Sequence, residues 1–339
     1  MLALQLEACY YMQAIHGHTD LMNRRRPFDE LLADASVPET LKTRLALVRD
    51  ARQFAVDELG LPDNGSYRTY ADLERDFVVW NVFATPEFSL AAKRWCYPVA
   101  GCVAYRGFFD HEDAVSFATK LERRGFDVMT GGVSAYSTLG RFDDPVLNTM
   151  MRWSDENLVQ TMFHELAHQK LYVKGDTAFN ESFASALAYH GLERWLESGG
   201  DTALLERIEA RRELRRRTMA LVDETKNALG AIYDSALSDA DKRQQKKAIL
   251  ETLAARADAL AAAQGEARNP WLDAPLNNAS LVPMSLYEGH VDAFRRILDG
   301  CSQRLDCFYA EAERLAELSA DERAAALVAL SGGDARPVD

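Results

Sequence analysis

Cysteine is scarce in this chain, with five among 339 residues, at positions 9, 96, 102, 301 and 307. That is too few for a disulfide framework, and no Cys-x-x-Cys pair offers the spacing of a structural zinc site. Cys96 with Cys102, and Cys301 with Cys307, can each close a small loop in an oxidising compartment; buried free thiols are the other reading. Long basic runs are also missing. The net charge is −13, and Arg24-Arg25-Arg26 runs straight into Pro27, which reads as a solvated turn. Phosphate binding leans on Lys and Arg patches, so nucleic acid is not expected as a partner. No apolar run approaches the roughly 20 residues of a membrane span. Residues 1–6 are too short for the apolar stretch of a signal peptide. No segment repeats.

What remains is an ordinary globular composition, 47% hydrophobic and 27% charged. The length exceeds what one core usually fills, so two lobes are expected. Residues 1–60 read as a helical segment, with Leu41, Leu45, Val48, Arg52 and Leu59 at helical spacing. Leu61-Pro62-Asp63-Asn64-Gly65 breaks it with turn chemistry. A core follows over 61–200. Its first part is β-rich: Phe77 to Ala84 closed by Thr85-Pro86, then short strands at 95–99 and 102–107, and another at Phe126-Asp127-Val128-Met129. Helical spacing covers 111–124, and 131–137 reads as an edge strand or a loop beside one. Arg106 reads as a structural ion-pair partner. Residues 201–264 form a long helical pair broken near Ser238-Asp239, inside a helical lobe over 201–331, with a loose tail at 332–339.

One stretch carries chemistry. Thr161-Met162-Phe163-His164-Glu165-Leu166-Ala167-His168 holds a His-Glu-x-x-His motif. On a helix, residues four apart share a face, so His164 and His168 can point at one atom. Two neutral imidazoles at that spacing suit Zn²⁺, with Glu165 placed to reach an activated water. Ser154 is a suitable N-cap, Asp155 and Glu156 favour the first turn, and Lys174-Gly175 ends the helix. A catalytic zinc needs a third protein ligand. Glu181 is the strongest candidate: twelve residues separate it from His168, and a second helix over 177–197 carries it. Ala184, Ser185 and Ala188 give that helix a small-residue face for close approach.

His164-Glu165-Leu166-Ala167-His168 followed by Asn180-Glu181-Ser182-Phe183-Ala184 resembles the gluzincin metallopeptidases. Within them the chain is most similar to the bacterial putative aminopeptidase family, which is zincin-like. Tyr10-Tyr11, Trp80-Asn81-Val82-Phe83-Ala84-Thr85-Pro86, Gly101-Cys102-Val103-Ala104-Tyr105-Arg106-Gly107 and Ala135-Tyr136-Ser137-Thr138-Leu139-Gly140 carry the likeness across most of the sequence. The resemblance implies an α+β zincin-like fold: a small mixed sheet and two zinc-bearing helices inside a predominantly helical chain. It implies one Zn²⁺ on His164, His168 and Glu181, with Glu165 as general base. The His-to-Glu spacing is shorter than in the well-studied gluzincins, so their substrate-side loops do not transfer. A Gly-x-Met-Glu-Asn segment for a substrate amine is absent from the sequence.

The expected reaction is hydrolysis of a peptide or protein substrate, as an aminopeptidase. The rivals are an endopeptidase with the same site and an inactive metal-binding scaffold that docks a protein partner. The oxyanion needs a further donor. Tyr287 is the first choice because the resemblance places a Tyr there; Tyr136, His190 and His290 are the others. His190 lies nine residues past Glu181, on the opposite side of its helix. An edge strand at 102–106 or 132–137 can pair with an extended peptide. The resemblance also implies a lipid-attached cysteine shortly before the Tyr-Tyr pair. Cys9 stands there, but Glu7 occupies a position that wants a small or apolar residue. A periplasmic or lipid-anchored protein with a longer leader and a cytoplasmic one both stay open.

Overall fold

Helix starts follow local chemistry. Pro27 and Pro38 precede α2 (Phe28–Ala33) and α3 (Glu39–Asp57), after α1 (Leu2–Asn23) and the short strand β1 (Arg25–Pro27). Proline's missing N–H costs nothing where the first turn leaves donors unpaired. The chain then runs through β2 (Thr69–Ala71), β3 (Val79–Pro86), β4 (Trp95–Tyr97), β5 (Gly101–Val103) and β6 (Tyr105–Phe108). Helix α4 (His111–Glu122) begins where the Asp110 carboxylate accepts the Asp113 N–H. After it come β7 (Phe126–Val133), β8 (Val146–Leu147), α5 (Asp155–Lys170), α6 (Thr177–Gly199), α7 (Thr202–Tyr233) and α8 (Asp239–Ala263). The rest is α9 (Val282–Leu286), α10 (Val291–Gly300), α11 (Leu305–Ala316) and α12 (Ala320–Leu330), the last opened by a Ser319/Glu322 capping box. This computed structural model describes residues 2–97, 101–199, 202–286 and 290–331.

The architecture is mixed α and β, mostly helical, with small sheets ordered β1-β2-β8, β6-β3-β7 and β4-β5. One sequence expectation needs correction, and one left open between strand and loop at 131–137 is resolved as strand through Val133. Arg24-Arg25-Arg26 is not a solvated turn: Arg25 and Arg26 pair with Ala71 and Tyr70 in an antiparallel ladder. Their side chains secure that path, Arg25 donating to the Met22 carbonyl at 2.9 Å and Arg24 pairing with Asp20 at 3.0 Å. The 126–129 strand does not stop before Gly131-Gly132. Gly131 and Gly132 stand opposite Asn81 and Trp80, and β7 continues to Val133. A side chain at Gly132 would collide with the Phe77 ring, so glycine here lets an aromatic close over the strand.

The main core joins α3, α5, α6 and α10–α12. Phe163, Phe179, Phe183, Phe294 and Phe308 are all fully buried in it. Each such ring contributes roughly 1.5–3 kcal/mol relative to exposure. A second cluster lies between β3, β6 and α4, built on Val82, Ala84, Phe108, Ala114, Ala118 and Leu121. Arg106 is structural: its guanidinium lies 3.9 Å from the Tyr10 ring centre and 4.9 Å from that of Phe117, tying α1 and α4 to β6.

The α7–α8 hairpin has its own apolar seam and is fastened to the sheet by polar contacts. Lys246 meets Asp127 at 2.5 Å, and Asp127 also accepts the Asn278 N–H at 2.9 Å. Cys96 and Cys102 are disulfide-bonded directly across the β4–β5 pair, and a Cys301–Cys307 disulfide joins the end of α10 to α11.

Candidate metal centre

Helix α5 ends four residues before the expected Lys174-Gly175 stop. Its C-cap Leu171 is extended, and the reason lies in the next helix. The Asn180 amide accepts the Val173 N–H at 2.7 Å and donates to the Val173 carbonyl at 2.8 Å. That double bond holds 171–173 straight. Gly175, at φ +85°, then turns the chain, and Asp176 accepts the Phe179 N–H at 3.0 Å to start α6. At the front of α5, Ser154 occupies the N-cap, but its side chain makes no cap bond; Asp155 and Glu156 complement the helix dipole there. Glu181 therefore sits in the second turn of α6, antiparallel to α5 and level with the histidines.

The three side chains converge. Nε2 of His164 lies 3.1 Å from Oε2 of Glu181 and 3.1 Å from Nε2 of His168. Nε2 of His168 lies 3.7 Å from Oε1 of Glu181. The two imidazoles stand at 90° to each other, and all the candidate ligand atoms fall within 4.8 Å of one another. A tetrahedral ion with bonds of about 2.0–2.1 Å separates its ligands by roughly 3.3–3.4 Å. The two imidazole nitrogens lie 3.1 Å apart, and Glu181 meets them through different oxygens, Oε2 at 3.1 Å and Oε1 at 3.7 Å, so the spacings bracket that value. The Ser185 hydroxyl lies 3.5 Å from Nδ1 of His164, the ring nitrogen that faces away from Glu181.

Charge is concentrated here. Burial works to raise the Glu181 carboxyl, but the His164 and His168 imidazoles beside it hold it at about 2. For His168 burial works downward, and the Glu181 and Glu165 carboxylates outweigh it, so its pKa is raised.

Glu165 is half-buried on the neighbouring face of α5. One turn on, Gln169 accepts a hydrogen bond from Asn64 Nδ2 at 2.6 Å and donates to Ser66 Oγ at 3.3 Å. Tyr105, at the start of β6, feels the same carboxylates. Burial pushes its phenol up to about 12, helped by Glu181, Tyr172 and Glu165. Tyr172 packs edge-on to His168, ring centres 6.3 Å apart, and is raised by burial and Glu181. Sequence reasoning passed over both phenols. A signal for Tyr172 was available, since it follows His168 by four residues.

Three of the expected oxyanion donors are described. Tyr136 bonds His18 at 3.3 Å. His190 is buried on α6 beside Glu193, Arg194 and Leu298, away from Glu181. His290 donates its backbone N–H to Ser182 at 3.0 Å, and its ring is not among the converging groups of the described residues. Tyr287 lies outside the described residues. Of the two expected substrate edges, 102–106 is split between β5 and β6, which belong to different sheets, and 132–137 lies in β7 only as far as Val133. The β6 edge carries Tyr105 beside the site.

A model of a family described as "Putative aminopeptidase" matches residues 9–327. No curated protein and no solved structure matches the chain.

Proposed function

The chain belongs to the putative aminopeptidase family, and from that membership we propose that it is a zinc-dependent peptidase with one ion held by His164, His168 and Glu181. The observation that carries this reading is the convergence of two imidazole nitrogens and one carboxylate at 3.1–3.7 Å on packed helices. Bound zinc supplies Lewis-acid chemistry, polarising a carbonyl and acidifying water. The protein's own groups do the rest. Glu165 takes the proton of the attacking water and hands it to the leaving amine. Tyr105 is placed to donate to the oxyanion, with Tyr172 beside it and Tyr287 the further phenol to test. Ser185 orients His164. β6 is an edge strand of its sheet, and pairing with an extended peptide there would fix the peptide's register at the site.

Family membership favours removal of N-terminal residues over internal cleavage. Profiling zinc-loaded protein against a mixed peptide library tests both: stepwise trimming from the amino end is expected. Internal cuts would replace the aminopeptidase assignment with an endopeptidase one, and no cleavage at full zinc occupancy would favour a scaffold.

A further inference from the structure

We propose that Asp144 is a positioning residue for Glu165, binding the turn at 64–67 and the turn at 137–140 into one wall against the Glu165 face of α5. The proposal rests on the reading of Glu165 as the general base.

Four observations carry it. First, Asp144 is fully buried and is held at both ends. Its carboxylate accepts from the Thr138 N–H at 2.9 Å, the Thr138 hydroxyl at 2.8 Å and the Ser137 hydroxyl at 3.4 Å. Its carbonyl accepts the Tyr67 N–H at 2.7 Å. One residue therefore grips both turns.

Second, both turns lie against the same face of α5. Glu165 and Gln169 share that face, being four apart. Gln169 bonds Asn64 and Ser66 in the first turn, and a side chain at Gly140 in the second would come within 3.0 Å of it. Gly140, at φ +72°, is left-handed there.

Third, Tyr67 is a bulky residue held at φ +60°, a conformation that costs energy unless its surroundings impose it. Its side chain is 2% exposed, with Ser137 against its phenol. Behind the turn, buried Arg52 donates to the Ser66 carbonyl at 2.8 Å and to Asp63 at 3.0 Å.

Fourth, the groups feel one another's charge. Glu165 helps to raise both Tyr67 and Asp144, after burial, the larger cause for each. Tyr136 is the other titratable group that faces Asp144. A carboxylate that must swing between an attacking water and a leaving amine needs a fixed wall behind it. An error near 1 Å in such a group costs about 100-fold in rate.

The test compares wild type with Asp144→Asn, using Asp321→Asn, exposed on α12, as the control. Zinc content, kcat, KM, the pH profile of kcat and backbone hydrogen exchange over 64–68 and 136–145 are all measured. Asp144→Asn keeps one acceptor oxygen and replaces the other with an NH2 group, so the two Thr138 donors and Ser137 lose one of their acceptors. The expected result is unchanged zinc, KM within about threefold, and kcat lower by about 10- to 100-fold with a shifted pH profile. Exchange should rise in both segments by at least about tenfold. Faster exchange with wild-type kcat and pH profile would overturn the proposal, and so would unchanged exchange. If Asp144→Asn loses zinc or fails to fold, Thr138→Val removes one of the same bonds. A smaller fall in kcat with faster exchange then supports the wall, and no change in either refutes it. If zinc-loaded wild type cleaves no peptide, the peptidase reading fails, while the exchange result still decides whether Asp144 joins the two turns.

Discussion

Asn180 grips Val173 at both backbone groups, at 2.7 and 2.8 Å, and so fixes where α5 stops and where Glu181 begins. The residue beside the third candidate ligand thus sets its reach. Asn180→Ala leaves the Val173 N–H without its partner and the Val173 carbonyl with only the Asp176 N–H, at a cost of about 1–3 kcal/mol if the N–H stays buried. Zinc affinity should fall by about 10- to 100-fold with all three ligands intact. Asn180→Asp keeps the acceptor and sets a carboxylate against the carbonyl, so it should be no better. Denaturant unfolding and competitive zinc titration measure both effects; wild-type affinity in Asn180→Ala would remove Asn180 from the account of the site.

Tyr105 feels both Glu181 and Glu165, whereas Tyr172 feels Glu181. Tyr105→Phe should therefore lower kcat by about 10²–10³, the usual loss for one oxyanion donor, with KM little changed. Tyr172→Phe should cost less. Steady-state kinetics on one peptide substrate separate them, with Tyr287→Phe in the same series. A large kcat loss confined to Tyr287→Phe would move the role to that residue.

Asp144 titrates unusually high, at about 6 against an ordinary 3.8, because burial disfavours its charge more than the Thr138 and Ser137 hydrogen bonds restore it. A pKa raised by folding means that the native state binds the proton more tightly. The associated stability is fully present below pH 3.8 and is lost as pH rises through about 6. A rise of this size corresponds to roughly 3 kcal/mol. The stability of wild type relative to Asp144→Asn should decline by about that much between pH 4 and pH 7. Parallel urea titrations across this range measure it, and a flat difference would mean that Asp144 titrates normally.

The Cys301–Cys307 disulfide closes a short loop containing Ser302 and Gln303, both at positive φ. Closing a loop this small limits the unfolded chain by about 2 kcal/mol. Cys307→Ser should lower stability by about that amount, with zinc content unchanged because the loop lies outside the metal-binding helices. Thermal unfolding in the presence and absence of reductant tests this. Equal midpoints in the two conditions would show that the bond contributes nothing.

The site was legible in sequence wherever it rests on local spacing. His164 and His168 share a face because they are four apart, and Asn180-Glu181 falls at the start of the next helix because Gly175 permits the turn. The end of α5 was not legible, because Asn180 imposes it from the following helix. Tyr105 was invisible for the same reason on a larger scale: β3 pairing aims it at a helix 60 residues further on. Tyr67 and Asp144 gave no pattern at all. A left-handed tyrosine and a buried aspartate become sensible only when the two turns they join lie side by side. Periodicity left 131–137 open between strand and loop, since room for the Phe77 ring over Gly132 is a property of the packed sheet.

The most direct test compares wild type and Glu165→Gln for zinc stoichiometry and peptide hydrolysis on the same preparations. Glu165 is the proposed base and not a ligand, so both proteins should bind one zinc per chain, with hydrolysis falling by at least about 10³-fold in the variant. Equal peptide hydrolysis by the two proteins at full zinc occupancy would contradict the assignment of Glu165, and wild type that binds no zinc would contradict the centre itself.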